Sequence, residues 1–329
     1  METNQCNQPK RNVPKKLLIL FVSFYMLFYI FPFPFELIPY LKNVIVYYLN
    51  ATEFITLWIG HNALNINTLR KIAATGSGDT TFDYVKIITN LVLSVLFSLS
   101  VALFITNQNF YSKLHNGTII YARYFLGFTM LSYGFVKVYG GQFMFPDVVQ
   151  LEKTYGNSSP MNLLWTFMGY SKPYTVFSGT VEIVGGFLLL FRRTTVLGCL
   201  VTIAIMINIM MLNFSYDVPV KLFSSHLLLL FAFFIVSPHV KKLVDFFILN
   251  KATALSFEKI QYKAKWMQVT RLVLKFVIVI GIPLFSIIEV KQALDSIAKE
   301  GQADERKLLE KYPLVSRGFH WINEYPYNR

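Results

Sequence analysis

The chain of 329 residues is 54% hydrophobic and 16% aromatic, and only 15% of it is charged, well under the roughly one quarter typical of soluble domains. That balance excludes an ordinary soluble enzyme and intrinsic disorder, while two cysteines, Cys6 and Cys199, are too few for a disulfide scaffold. The 31 Lys and Arg against 18 Asp and Glu leave a net charge of +13, which raises nucleic acid as a partner until the charges are placed along the chain.

A helix needs about 17–25 apolar residues to cross some 30 Å of hydrocarbon. Seven runs qualify: 17–35, 87–105, 119–139, 174–191, 194–213, 221–237 and 272–290. The first follows Lys10, Arg11, Lys15 and Lys16 and ends in Pro32-Phe33-Pro34 with no small-residue cleavage site, so it reads as an uncleaved signal anchor. With the N-terminus inside and the runs alternating, the inner segments are 1–16, 106–118, 192–193 and 238–271. Together with the flanking Arg123 and Lys275 they hold sixteen basic residues against Glu2, Asp245 and Glu258. The whole surplus falls on that side, which predicts a multi-pass membrane protein with its N-terminus inside and its C-terminus outside. The most basic loop, 238–271, reads as a topology determinant that contacts anionic lipid. Membrane lipid replaces nucleic acid as the expected partner.

Between the runs, residues 36–86 are amphipathic in part (Leu41, Val44, Tyr48, Phe54, Trp58) and end in Gly76-Ser77-Gly78-Asp79-Thr80. The stretch 43–60 carries only Glu53 and resembles an eighth span. Another crossing would invert every later loop, so 43–60 is placed along the outer interface, where Tyr and Trp are favoured. Residues 140–172 contain Gly140-Gly141, Pro146-Asp147 and a helix start at Ser159-Pro160, and read as a cap over the outer mouth. After the last run a polar helical stretch, Gln292–Lys311, leads to Phe319, Trp321, Tyr325 and Tyr327. Either this aromatic segment packs back on the outer caps or a further outer domain is missing beyond it. A protein partner on the outer side is one expectation.

Ionisable residues inside spans are costly and are therefore functional candidates. Arg123, Gly127, Gly134 and Lys137 share one face of the third span, where glycine permits close helix approach. Glu182 lies near the centre of the fourth span among Gly179, Gly185 and Gly186, and such a carboxylate must be paired or protonated. Arg123 and Lys137 are both candidate partners, and each has an alternative role as a headgroup anchor. A structural pair, a proton relay, a ligand site and a lipid-facing acid all remain open for Glu182. Between spans five and six, Asn213 to Lys221 reads as a tight hairpin in which Asp217 and Lys221 pair with each other or with Lys137 and Asp147. Alternatively Lys137, Asp217, Lys221 and His226 line a cavity open to the outside. No Cys or His pattern signals a metal, haem or dithiol exchange, and Gly76-Ser77-Gly78 lacks the Rossmann continuation. The cofactor is unknown; a quinone requires no metal, only one or two polar groups in an aromatic cleft.

The segment Arg123-Tyr-Phe-Leu-Gly127-Phe through Gly134-Phe-Val-Lys137 and Phe145-Pro146-Asp147 resembles the opening helix of DoxX-type membrane proteins. Val181-Glu182-Ile-Val-Gly185-Gly186 through Phe191-Arg192-Arg193-Thr194 is similar to the second helix and inner turn of that family, and Asn213 to Lys221 to an elaborated form in longer members. The resemblance covers about 119–240. It implies an all-α membrane protein of about seven helices around a DoxX-like four-helix bundle. The parts are then a two-span extension with an interfacial loop (1–118), the core (119–240), a basic cytoplasmic loop (241–271) and a last span with its polar and aromatic tail (272–329). It also implies membrane-associated oxidoreductase systems, including quinone-coupled ones, although fold alone does not assign function. Three readings follow. The chain is a membrane subunit of a redox or envelope complex with an outward site for a quinone-like or lipidic molecule, in which Glu182 and Lys137 handle charge. Alternatively it is a non-catalytic scaffold docking an outer partner through its caps and tail. A transporter, the third reading, is weakened by the lack of an internal repeat.

Overall fold

The computed structural model describes residues 13–37, 39–71, 78–105, 107–254 and 265–276, with Gly281 and Ile288. Among these residues every regular element is helical. Six helices are long and apolar enough to cross a membrane: Val13–Ile30, Thr81–Phe104, Asn109–Val138, Lys172–Leu190, Thr195–Ser215 and Lys221–Phe247. The chain is a multi-pass helical membrane protein. These six match the first six apolar runs; most of the seventh, 272–290, and the whole tail lie outside the described residues. The chain divides into two compact units, 1–125 and 126–329.

The first unit contains α1 (Val13–Ile30), α2 (Lys42–Trp58), α3 (Thr81–Phe104) and the opening turns of α4 (Gln108–Val138). Thr80 starts α3 with a capping box: its side chain accepts from the Asp83 amide, while Asp83 accepts from the Thr80 amide at 3.0 Å. Thr89, Ser94 and Ser98 are buried on α3 and donate to the carbonyls of Val85, Asn90 and Ser94. Each hydroxyl is thus satisfied within its own helix and needs no partner across the packing interface. Phe24 and Phe28 of α1 meet Phe97 of α3, the latter pair edge to face at 5.2 Å. At the start of α1, Lys16 lies 5.5 Å from the Tyr111 ring, whose hydroxyl donates to Ile105 just beyond the end of α3. α1 and α3 therefore run antiparallel. Residues 108–118, expected as an inner connection, are instead the first three turns of α4. Lys113, His115 and Asn116 end the apolar run without breaking the helix, because hydropathy reports the apolar length and not the helical length.

The second unit holds the rest of α4, then α5 (Val148–Glu152), α6 (Pro160–Tyr170), α7 (Lys172–Leu190) and α8 (Thr195–Ser215). Ser159 and Ser171 cap α6 and α7, each with a proline in the first turn. The sixth span is not one α-helix. It runs as α9 (Lys221–Ser225), a π-helical stretch His226–Ala232, α10 (Phe233–Val236) and a 3-10 turn Ser237–His239, followed by α11 (Val240–Phe247). α12 (Lys265–Phe276) lies beyond.

α4 and α7 run antiparallel and touch through glycines at two levels. A Cβ at Gly134 would lie 2.7 Å from the Gly179 carbonyl oxygen, and one at Gly186 would lie 2.9 Å from that of Gly127. Gly127 and Gly134 are seven residues apart, as are Gly179 and Gly186, so two turns of each helix share one seam. On the other flank of α7, a Cβ at Gly198 would come 2.8 Å from the Leu189 amide nitrogen, while Thr194 donates to Leu188 at 2.7 Å and closes the α7–α8 turn. Because two of the atoms that obstruct Gly134 are backbone, the Gly179 carbonyl oxygen and the Ile183 amide nitrogen, substitution there has to move a helix. Gly134→Val is expected to lower stability by about 1–3 kcal/mol, the usual cost of overpacking. Gly117→Ala, where nothing lies within 4 Å of the new Cβ, should be neutral or stabilising by up to about 1 kcal/mol. Thermal unfolding of both variants in detergent checks the contrast.

Candidate functional site

Lys137 lies in the last turn of α4 and Glu182 in the middle of α7. Side chains on a helix lean toward its N-terminus. In an antiparallel pair those leanings are opposed, so Lys137 and Glu182, set on either side of the Gly134–Gly179 contact, reach toward each other. The Lys137 Nζ donates to Glu182 Oε1, forming an ion pair in which the residues are 6% and 1% exposed. Taking two charges out of water costs several kcal/mol per ion, recovered only by close geometry and further hydrogen bonds. Glu182 Oε2 has no hydrogen-bond partner among the described residues.

Glu182 sits at a three-helix junction. With about 100° between successive residues, Gly179 and Gly186 lie on the side of Glu182 that faces α4, and Gly185 lies on the side that faces α8. A Cβ at Gly185 would come 3.0 Å from the Thr202 Oγ1 of α8. Thr202 is fully buried, and its hydroxyl also lacks a hydrogen-bond partner among the described residues. At the other end of the pair, Lys137 Nζ stands 6.0 Å from the centre of the Phe143 ring. Phe143 packs with Leu164, Met168 and Val218, flanked by Trp165 and Tyr216, so an apolar, aromatic cluster covers the lysine from the 139–171 connection and the turn before α9.

The remaining predicted residues are distributed differently. Asp217 and Lys221 pair with each other, with the Asp217 side chain 78% exposed and its backbone at φ +51° in the turn between α8 and α9. This is the hairpin pair, while Lys137 is engaged with Glu182. His226 is buried at the start of the π-helical stretch, its Nδ1 2.7 Å from the Leu222 carbonyl; a carbonyl only accepts, so that nitrogen carries a proton. Arg123 belongs to the first unit, buried, with its guanidinium 5.0 Å from the Tyr124 ring centre. Among the described residues no three His, Cys, Asp or Glu side chains come together as a metal site. Thr202 and Phe143 were absent from the sequence expectation. Thr202 has a weak signal in the small-residue spacing Gly198-x3-Thr202, and Phe143 has none.

Removing one member of the pair leaves the other charge buried alone. Lys137→Met or Glu182→Leu is expected to cost about 3–5 kcal/mol, whereas the double replacement, which removes both charges, should be near neutral or stabilising. Unfolding midpoints of the three variants measure this directly, and additive losses would contradict it.

No family model and no solved structure matches the sequence. A relative in Bacillus subtilis (strain 168), described as uncharacterized protein YwoB, is 36% identical over 110 residues, which make up 33% of this chain and 68% of that protein. The chain belongs to the same family as YwoB.

Proposed function

We propose that the chain is a DoxX-like membrane subunit of a redox or envelope complex in the bacterial cytoplasmic membrane, and that it holds a quinone-like or lipidic molecule at the Lys137–Glu182 pair. The observation that carries this reading is a buried ion pair whose carboxylate keeps one oxygen without a hydrogen-bond partner among the described residues. An ammonium has three donors and a carboxylate about four acceptor positions, so the pair retains capacity for a carbonyl oxygen and a hydroxyl of one small molecule. Lipidic and quinone-like ligands need few polar contacts in an aromatic setting, and Phe143, Trp165 and Tyr216 supply that setting at the lysine end. Asp217 and Lys221 shape the mouth. The one-sided +13 supports an N-terminus in the cytoplasm and a periplasmic face for residues 139–171.

A second reading is favoured by the tightness of the seam. The two charges compensate each other between helices that leave no room for a Cβ, as a purely structural pair would. The chain then acts as a non-catalytic scaffold that docks an outer partner through its caps and tail.

The double variant K137M/E182L separates the two, since it removes the chemistry while sparing the fold. Protein purified from bacterial membranes is extracted and its bound lipids and quinones are quantified by mass spectrometry. The ligand reading expects a molecule retained by the wild type and lost from the double variant at unchanged unfolding midpoint. Equal retention in both would sink it and leave the scaffold.

A further inference from the structure

α2 divides into three sectors that face three different surroundings. One stripe, Val44, Tyr47, Ala51, Phe54 and Trp58, repeats at intervals of three and four residues. Its large members are strongly exposed, Tyr47 at 77% and Phe54 at 70%, and Tyr40, in the 3-10 turn Pro39–Leu41 that precedes the helix, is exposed as well. A second sector packs on the first unit. Ile45 and Thr56 are buried, Tyr48 meets Phe31 edge to face at 4.5 Å, and Ile59, just past the helix, is buried with Leu69, Phe82 and Val85. The third carries Asn43, Asn50 and Glu53, with Glu53 paired to Lys71 at 2.6 Å and one exposed apolar residue, Val46, among them.

The topology fixes where this helix lies. α1 and α3 are antiparallel neighbours, so the end of α1 and the start of α3 are at one face of the membrane. Phe31, immediately after α1, packs on the first half of α2, and Phe82 and Val85, in the first turns of α3, pack beside the residue that follows its last turn. Both ends of α2 are thereby tied to the same face. A crossing would place them on opposite faces, about 21 Å apart along the axis between Val44 and Trp58 at 1.5 Å per residue, and the chain would need a second crossing to return. Among the described residues of 64–80 there is no helix to make one.

We infer that α2 lies in the plane of the membrane–water interface as a lipid-binding helix. Its Val44–Trp58 stripe is sunk into the boundary between headgroups and acyl chains, and Asn43, Asn50 and Glu53 face water. The occupant of the stripe is phospholipid, because a stripe rich in Tyr, Phe and Trp beside a polar flank is the chemistry that partitions to this depth, and because α2 is tied to the ends of two spans.

Full-length protein is reconstituted in phosphatidylcholine/phosphatidylglycerol vesicles carrying lipids brominated at shallow or deep acyl positions. In a background with Trp165, Trp266 and Trp321 changed to Phe, Trp58 is the sole tryptophan; V44W, Y47W and F54W are then made with W58F. The expected result is strongest quenching by the shallow bromolipid, with one common depth for all four positions. Tryptophan at Asn43 or Asn50 should be quenched by aqueous iodide instead. Depth that changes progressively from 44 to 58 would overturn the inference in favour of a crossing. Absence of lipid quenching along the stripe would overturn it in favour of a protein partner or bulk water. The Trp58-only protein needs no change within α2, so its quenching reports the depth of the stripe even where a relocated tryptophan fails to fold.

Discussion

Two opposite charges are held in the apolar interior of the second unit only because α4 and α7 approach to backbone contact. Without side chains at Gly127, Gly134, Gly179 and Gly186, the helices close to a separation at which a lysine and a glutamate can meet directly. The antiparallel direction supplies the rest, since it turns the common N-terminal lean of helical side chains into convergence. A parallel pair with the same residues would aim both groups the same way. The position of the ion pair is therefore a consequence of glycine spacing and chain direction.

The same seam determines what surrounds Glu182. Its position on α7 lies between the glycines that admit α4 and the glycine that admits Thr202 of α8, so a third helix closes over the carboxylate. The lysine end is closed by different means, a cluster of aromatic and aliphatic side chains around Phe143 contributed by two connections. Close packing on one side and an aromatic cover on the other leave a polar centre with incomplete hydrogen bonding. Such a centre is suited to one small ligand or to rigid assembly. The first unit achieves its packing with other materials: hydroxyls that satisfy themselves within α3, aromatic contacts between α1 and α3, and a surface helix with three faces.

Six spans, the Ser159 cap and the Asp217–Lys221 hairpin pair were legible in the sequence because each is encoded locally, in an apolar run, a cap signal or an i,i+4 spacing. Glu182 stood out for a related reason, since a charge in the middle of an apolar helix is rare and expensive. The choice between Arg123 and Lys137 as its partner was not legible. It depends on the register of α4 against α7, a tertiary property that spacing along one helix cannot supply. Thr202 and Phe143 were invisible for the same reason: their importance comes from what lies across from them. The break of the sixth span at His226 and the early start of α4 at Gln108 escaped because apolar content is blind to helix type and to polar helix ends.

The ionisation state of Glu182 decides whether a charged lysine and a charged glutamate face each other inside the second unit. Infrared difference spectra of wild-type and E182Q protein, both labelled with carbon-13 glutamate and reconstituted in vesicles, isolate this one carboxyl group. With both groups charged, the band lost in E182Q is expected to be the antisymmetric stretch of a carboxylate at neutral pH, and K137M is expected to convert it to the carbonyl stretch of a carboxylic acid. A protonated carboxyl band in the wild type, unchanged by K137M, would contradict the ion pair and the site built on it.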